Sequence, residues 1–385
     1  MAAPRNTTYK LICHFARGNV PQAETPQVLS TIFDAQDHRY HIRQLPEQDL
    51  RMWIDRLDQT IDSRICAEPL RRRALRSLGR TCGSRGILPS SHYFHGRLYK
   101  TSNRPVSGGP ANLWKVTDDR KHIFAAKVFC AYLGEDYKIK KKSFYKEVTV
   151  WKRLNHPNVV PILGAEPDFS DLCTVSPWMP EGNLLQYLKN YPGADRMSIM
   201  IGVADGLSYL HSNDVVHGDM NGASHINYRG FLNILFDSTG IPQITDFRIY
   251  SIIYDLDSHE AFASFRDYSM RWAAPEILET PNNNSRRPTK MSDVYAFGMV
   301  VVEIFTGNIP FPDVPNLNVY SMVMKGKRPP KPADASKLGL SSAAWKLVKD
   351  CWNKKRDKRP DMQYVALHLR NPDQDGSSLS CGICI

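Results

Sequence analysis

Leu50, Trp53, Ile54, Leu57 and Ile61 recur at i, i+3, i+4, i+7 and i+11 with charged residues between them, which predicts one amphipathic helix. Leu70, Leu75 and Leu78 predict a second helix, ended by Gly83 and Gly86. Residues 1–28 carry Pro4, Pro21 and Pro26 and little periodicity, so they are expected to be irregular, with a helical stretch over 29–90. From Tyr93 to Phe129 the pattern shortens to alternating segments between turn residues, which predicts strands. Lys138 to Leu154 returns to helical spacing, with Phe144, Val148, Trp151 and Leu154 on one face. Ile162–Gly164 and Leu172–Val175 read as further strands. The rest is mainly helical, over Ile199–His211, Ser292–Phe305 and Ala344–Trp352. Two short strands interrupt it, ending in Asp237 and Thr245 and joined by the turn Ser238-Thr239-Gly240. After the helical stretch, strands come first and helices follow them, an order of the α+β class.

Composition changes this picture little. At 42% hydrophobic and 23% charged, the chain is an ordinary folded one. No run of eighteen apolar residues exists, so no membrane span is expected. The first residues lack an apolar leader, and the eight cysteines are scattered, which together suit reduced thiols in the cytoplasm. The formal charge of +11 is uneven: residues 1–100 hold 16 Lys+Arg against 9 Asp+Glu, densest at Arg71, Arg72 and Arg73. No nucleic-acid motif accompanies that cluster, so it reads as a solvated helix face and no nucleic acid is expected as partner.

Three polar side chains stand among apolar neighbours near the middle of the chain: Asp219, Asn233 and Asp246. Two carboxylates and an amide held together can bind a divalent metal and handle a hydroxyl proton, which suits phosphoryl transfer. Upstream, Lys127 is embedded in the strand His122–Phe129, where a lysine needs an anionic partner, and Glu147 is offered twenty residues on. Taken singly, each has a plainer reading as a surface charge; their order along the chain favours the pair. Gly108 and Gly109 make a turn before Leu113. Pro177 and Pro180 keep the link from Ser176 to Gly182 out of helix, which makes a hinge in which Met179 keeps the N–H that Pro177 lacks. Asp293, at a buried helix start, needs a hydrogen-bond partner, and Arg359 is placed to pair with Glu276.

This order resembles a protein kinase domain. The strings W-K-R-L-N-H-P-N-V-V, V-S-P-W-M-P-E-G-N-L, G-L-S-Y-L-H, R-W-A-A-P-E-I-L and S-D-V-Y-A-F-G carry the likeness. It is nearest to the tyrosine-kinase-like group, in the multi-copy form of mushroom-forming fungi. The resemblance implies a two-lobed kinase fold over 104–370: a small antiparallel β-sheet lobe (104–176), a hinge (177–182) and a larger helical lobe (183–370). A helical N-terminal extension would precede it and a flexible tail (371–385) follow it. The resemblance further implies ATP and Mg²⁺ as cofactors and a protein substrate phosphorylated on Ser or Thr. Lys127 and Glu147 would orient ATP, with Gly108 and Gly109 near its phosphates. Leu113, Ala125 and Leu235 would sandwich adenine, and Met179 would meet its edge. Asp219 would accept the hydroxyl proton, and Asn233 and Asp246 would hold the metal. For the extension, a partner-binding module and a brace are both open, and the brace is favoured.

The chain also departs from the pattern. Gly218 replaces an Arg, Asn221 a Lys, and Arg248 the last Gly of D-F-G. Nine extra residues, Ser224–Leu232, separate Ala223 from Asn233. An active kinase and a pseudokinase that binds nucleotide or partners with little catalysis therefore both remain open. The C-terminal Cys381 and Cys384 miss the register of a prenylation signal, which needs Cys where Gly382 stands.

Overall fold

Five helices occupy the first 85 residues of the computed structural model: α1 (Pro4–Ala16), α2 (Thr25–Asp34), α3 (His38–Arg43), α4 (Glu47–Asp62) and α5 (Glu68–Arg85). The structure describes residues 4–63, 65–108, 111–130, 135–221, 233–246, 270–279 and 288–371. Gly109, the stretch 224–232, Phe247, Arg248 and the two C-terminal cysteines lie outside them. The predicted stripe on α4 is fully buried at Leu50, Trp53, Ile54 and Leu57; α4 packs on α1, where Ile12 and Phe15 are buried, and α1 packs in turn on α2, where Leu29 and Ile32 are buried. Phe15 packs edge-on against Trp53, with ring centroids 5.2 Å apart.

Two expectations fail in this region. Residues 1–28 are not irregular, since α1 and the start of α2 lie within them. Pro4 opens α1 at a position where proline is tolerated, and burial of Ile12 and Phe15 outweighs the weak local signal of N-T-T-Y-K. Gly83 does not end α5; it lies inside the helix, and Gly86 alone caps it, at φ +63° with its N–H on the Cys82 carbonyl.

Five antiparallel strands follow: β1 (Tyr99–Lys100), β2 (Ala111–Thr117), β3 (Ile123–Phe129), β4 (Gly164–Ala165) and β5 (Cys173–Pro177), in the order β1-β2-β3-β5-β4. β4 starts two residues later than its apolar run suggests. Between β3 and β4 lies α6 (Glu135–Trp151). Alternation sorts the sheet into two faces. Val116, Ala126 and Cys173 form a buried cluster on one, with Trp114, Phe124 and Val128 against it.

A second compact unit takes in residues 156–160 and the chain from Met179 onward, while residues up to 155 and 161–178 belong to the first. In the second unit a three-stranded sheet forms from β6 (Gly182–Asn183), β7 (Ile234–Phe236) and β8 (Pro242–Ile244). Asp237 shapes the turn between β7 and β8, accepting from the N–H groups of Thr239 and Ile241 at 2.9 and 3.0 Å. The helices are α7 (Leu184–Asn190), α8 (Arg196–Ser212), α9 (Pro275–Leu278), α10 (Lys290–Thr306), α11 (Asn316–Met324), α12 (Ser342–Cys351) and α13 (Met362–Arg370). Their starts are read by their caps: Asn183 and Gln186 close a capping box on α7, as Thr289 and Ser292 do on α10.

Candidate active site

In the first unit, strand register fixes which side chains share a face. Leu113 pairs with Lys127, Lys127 with Thr174, and Ala125 with Ser176. Directly opposed residues point the same way, so Leu113, Ala125, Lys127 and Ser176 share the sheet face opposite the Val116 cluster. Phe129 follows Lys127 on that face, with the ammonium 5.1 Å from its ring centre. Phe144 of α6 packs edge-on against Phe129 at 5.7 Å. Glu147, half-buried, lies one turn further along α6 on the Phe144 side. Gly108 stands at the hairpin mouth, where the Val106 N–H donates to the Leu113 carbonyl (2.7 Å) and the Leu113 N–H to the Ser107 carbonyl (2.9 Å).

In the second unit the loop after α8 is held from below by Asp293. Its carboxylate accepts from the N–H groups of His217 (2.7 Å) and Gly218 (2.8 Å) and contacts His211 Nε2 (2.9 Å). Asp293 therefore has the loop backbone as the partner its burial demanded. His211 gives no sequence signal for this role, because it reads as an ordinary residue at a helix end. Gly218 sits at φ +76°, a conformation an Arg at that position would enter only with strain. His217 is fully buried, and burial lowers its pKa. The Asp219 N–H donates to its Nδ1 at 3.2 Å, so its proton sits on Nε2 and donates to the Thr245 carbonyl at 3.0 Å.

Asp219 and Asn233 are brought together. Asn233 Nδ2 donates to the Asp219 carbonyl, and Asn221 Nδ2 reaches the same oxygen at 2.9 Å. The Asn233 carbonyl in turn accepts the Thr245 N–H at 3.0 Å, which sets Asp246 one residue beyond this bond. Asp246 has φ +59°, an uncommon left-handed conformation that Asp tolerates better than most residues. Asn233 Oδ1 is buried and has no hydrogen-bond partner among the described residues. A buried amide oxygen, with the carboxyl residues Asp219 and Asp246 on the segments it is bonded to or adjoins, is the kind of oxygen donor a hard divalent cation takes. Leu235 lies in β7, two residues after Asn233, and Met179 is buried at the start of this unit's second segment.

Beside Asp219 a cleft is lined by Met220, Trp272, Ala273, Ile277 and Ala296. Trp272 is fixed there by its Nε1–H on Glu303 (2.8 Å), and Arg271 by three carbonyls, those of Pro310, Phe311 and Val314. Arg359 holds Glu276 bidentately at 2.6 and 2.8 Å, as the sequence suggested.

A family model for protein tyrosine and serine/threonine kinases matches residues 112–369, more than half of the chain. The chain belongs to the protein kinase family. The matched span starts within β2 and ends in α13, so helices α1 to α5 stand outside it. Among curated relatives, the kinase domain is similar to serine/threonine-protein kinase STY46 of Arabidopsis thaliana, at 26% identity over 70% of this chain and 44% of that protein. It is equally similar to serine/threonine/tyrosine-protein kinase HT1 of the same plant, 26% identical over 71% of this chain and 66% of the relative. Ephrin type-A receptor 5 of Gallus gallus is 27% identical over 62% of this chain and 22% of the receptor. The chain thus spans less than two thirds of each relative's length. Among the described residues no helix is long and apolar enough to cross a membrane.

Proposed function

We propose that this chain is an ATP-dependent protein kinase of the tyrosine-kinase-like group, close to the fungal multi-copy form, that phosphorylates Ser or Thr of protein substrates. Its kinase domain would run over 104–370. The observation that carries the reading is the Asp219–Asn233 contact with the buried Asn233 Oδ1, which has no partner among the described residues. Asn233 Oδ1 and the Asp246 carboxylate would hold Mg²⁺, which when bound supplies charge neutralisation for the transferred phosphoryl group. Asp219, its backbone fixed by two amides, would take the proton of the substrate hydroxyl as the new O–P bond forms and the bond from the γ-phosphorus to the bridging oxygen breaks, releasing ADP. Lys127, kept on the Leu113–Ala125 face, would pair with the α- and β-phosphates, and Glu147 would hold that lysine in place. Leu113, Ala125 and Leu235 would supply apolar contacts to adenine, Met179 a backbone N–H, and Gly108 with Gly109 room for the phosphates. The buried thiols of Cys82, Cys173 and Cys351 are free, which suits a cytoplasmic setting.

A pseudokinase reading is favoured by one feature. Asn221 stands where a lysine would face the γ-phosphate, and its amide is turned onto the Asp219 carbonyl. Loss of one charge-stabilising donor costs about 10²–10³ in rate, by analogy with an oxyanion hole. Incubation with Mg·[γ-³²P]ATP and a Ser/Thr/Tyr peptide library decides between them. Slow label on Ser or Thr, lost in Asp219→Asn, supports a kinase; Mg·ATP binding without label supports the pseudokinase; label on Tyr alone removes the Ser/Thr assignment.

A further inference from the structure

The helices that precede the kinase match take no part in the chemistry above, yet they are packed on the helix that carries Glu147. α5 lies so close along α6 that a Cβ on Gly83 would stand 2.8 Å from the Lys142 carbonyl oxygen and 2.9 Å from Lys146 Cγ. A Cβ on Gly86 would stand 2.9 Å from Lys141 Cε. The helices reach this separation because α5 is glycine at the contact. Lys142, Lys146, Thr149 and Arg153 follow at helical spacing and make the side of α6 that meets the extension. Phe144 makes the side that meets Phe129 of β3. α6 is therefore held between the extension and the sheet.

Arg153 fixes the C-terminal end of that helix. Its Nη2 pairs with Asp58, its Nε with Asp62 at 3.2 Å, and its Nη1 with the Thr149 carbonyl and with His92 Nε2 at 3.2 Å. Asp58 also accepts from Ser91 Oγ at 2.8 Å. The side chains of Arg153 and Asp58 are only 9% and 6% exposed. Charges this buried tolerate little displacement, because each is strongly penalised without its partner. Asp55, Asp58 and Asp62 lie along one face of α4, and Asp55 holds the Ser90 N–H at 2.7 Å. The next residues continue to the sheet, where Tyr93 pairs with Ala165 and the Phe94 N–H donates to the Ala165 carbonyl at 2.8 Å. The extension thus grips α6 along its length and at its end, and the residues that follow it are bonded to the strand β4.

We propose that the N-terminal helices are a built-in positioning clamp for α6, in which Gly83 and the Asp58–Arg153 pair set where Glu147 stands relative to Lys127 and so set nucleotide affinity. This rests on the kinase reading. Gly83, Asp58 and Arg153 touch no reacting atom; they act through the placement of one carboxylate. Displacing α6 from α5 by even a fraction of an ångström moves Glu147 with it, since Lys142, Lys146 and Glu147 lie on one continuous helix.

The test uses the full chain as Gly83→Ala, Arg153→Met and Arg153→Lys, with Lys127→Ala as the control that removes nucleotide contact. Mg·ATP affinity is read by calorimetry, melting temperature by heat, and α6 mobility by hydrogen exchange over 139–151. Gly83→Ala and Arg153→Met should each weaken Mg·ATP about tenfold and speed exchange over 139–151, with Arg153→Lys in between. A purely structural role lowers the melting temperature alone; affinity and exchange both within about twofold of the intact chain overturn the proposal. Should the intact chain bind no Mg·ATP, the kinase reading fails by itself. The clamp is then decided by exchange: faster in Gly83→Ala over 139–151 with β3 unchanged sustains it, and no change ends it.

Discussion

Arg359 shows how much a single buried charge can organise. Its side chain is fully buried and donates to Glu276 twice, to the Met291 carbonyl at 2.8 Å and to the Asn353 carbonyl at 2.8 Å, while its guanidinium lies 5.1 Å over the Tyr295 ring. Arg359→Ala should cost about 3–5 kcal/mol, toward the lower end because Glu276 keeps some access to water. A melting temperature lowered on the order of 10 °C would match that; a shift near zero would not. His92 makes a pH prediction. Burial, with Arg153 and Lys152 nearby, lowers its pKa from 6.5 to about 3. Below about pH 6.5 the unfolded chain takes up a proton that the folded chain refuses, so stability falls with acid by up to about 1.4 kcal/mol per pH unit. Asp58 opposes this near its own range, since burial raises its pKa and lets the folded state take a proton earlier than the unfolded one. Unfolding free energies from pH 7 to 5 should therefore fall less steeply in His92→Gln; equal slopes would show that His92 is not held neutral. Asp219 and Asn233, which the structure brings together, were singled out from residue type and spacing. The Asp58–Arg153 pair was not, because 95 residues separate its members and each reads alone as a surface charge.

At the scale of elements, periodicity revealed α4 and α6 because one face of each is continuously apolar. It missed α1, whose helix depends on burying Ile12 and Phe15 against α4 rather than on propensity. It also read Gly83 as a helix end, when the residue is a contact point whose meaning exists only with α6 in place. The connection between the Asp219 loop and β7 carries a prediction of its own. Asn221 and Asn233 donate to the same Asp219 carbonyl, so the two ends of the intervening chain are already closed on each other. Removing Ser224–Leu232 leaves Gly222 and Ala223 to make the link, which restores the four-residue spacing between Asp219 and Asn233 that kinases use. Shortening a closed loop in this way should stabilise by about 1–2 kcal/mol of closure entropy and leave Mg·ATP binding intact. Loss of binding in that deletion variant would instead make the inserted residues part of the site.

For the molecule as a whole, sequence motifs reached from the glycine turn to α13 and stopped short of the extension, which carries no catalytic string and so offered nothing to match. What it carries is a core. Ile12, Phe15, Leu29, Ile32, Leu50, Trp53, Ile54, Leu57 and Leu78 are all fully buried, and every one comes from the first 85 residues. The face it shares with α6 is more polar, with Lys142, Lys146, Thr149, Arg153, Asp58 and Asp62 around Gly83, Gly86, Cys82 and Tyr145. A region with an apolar core inside and a polar seam outside behaves as a separable module, because parting the seam exposes mainly groups that water can solvate. Residues 1–87 expressed alone should accordingly fold, at a length where single cores of about 55–65 residues already suffice. Circular dichroism would show a helical spectrum and one cooperative thermal transition. A broad, non-cooperative melt would mean that the extension borrows its stability from the kinase domain. The seam would then be a shared core in function, and the contacts at Gly83 and Arg153 would hold the extension up rather than hold α6 in place.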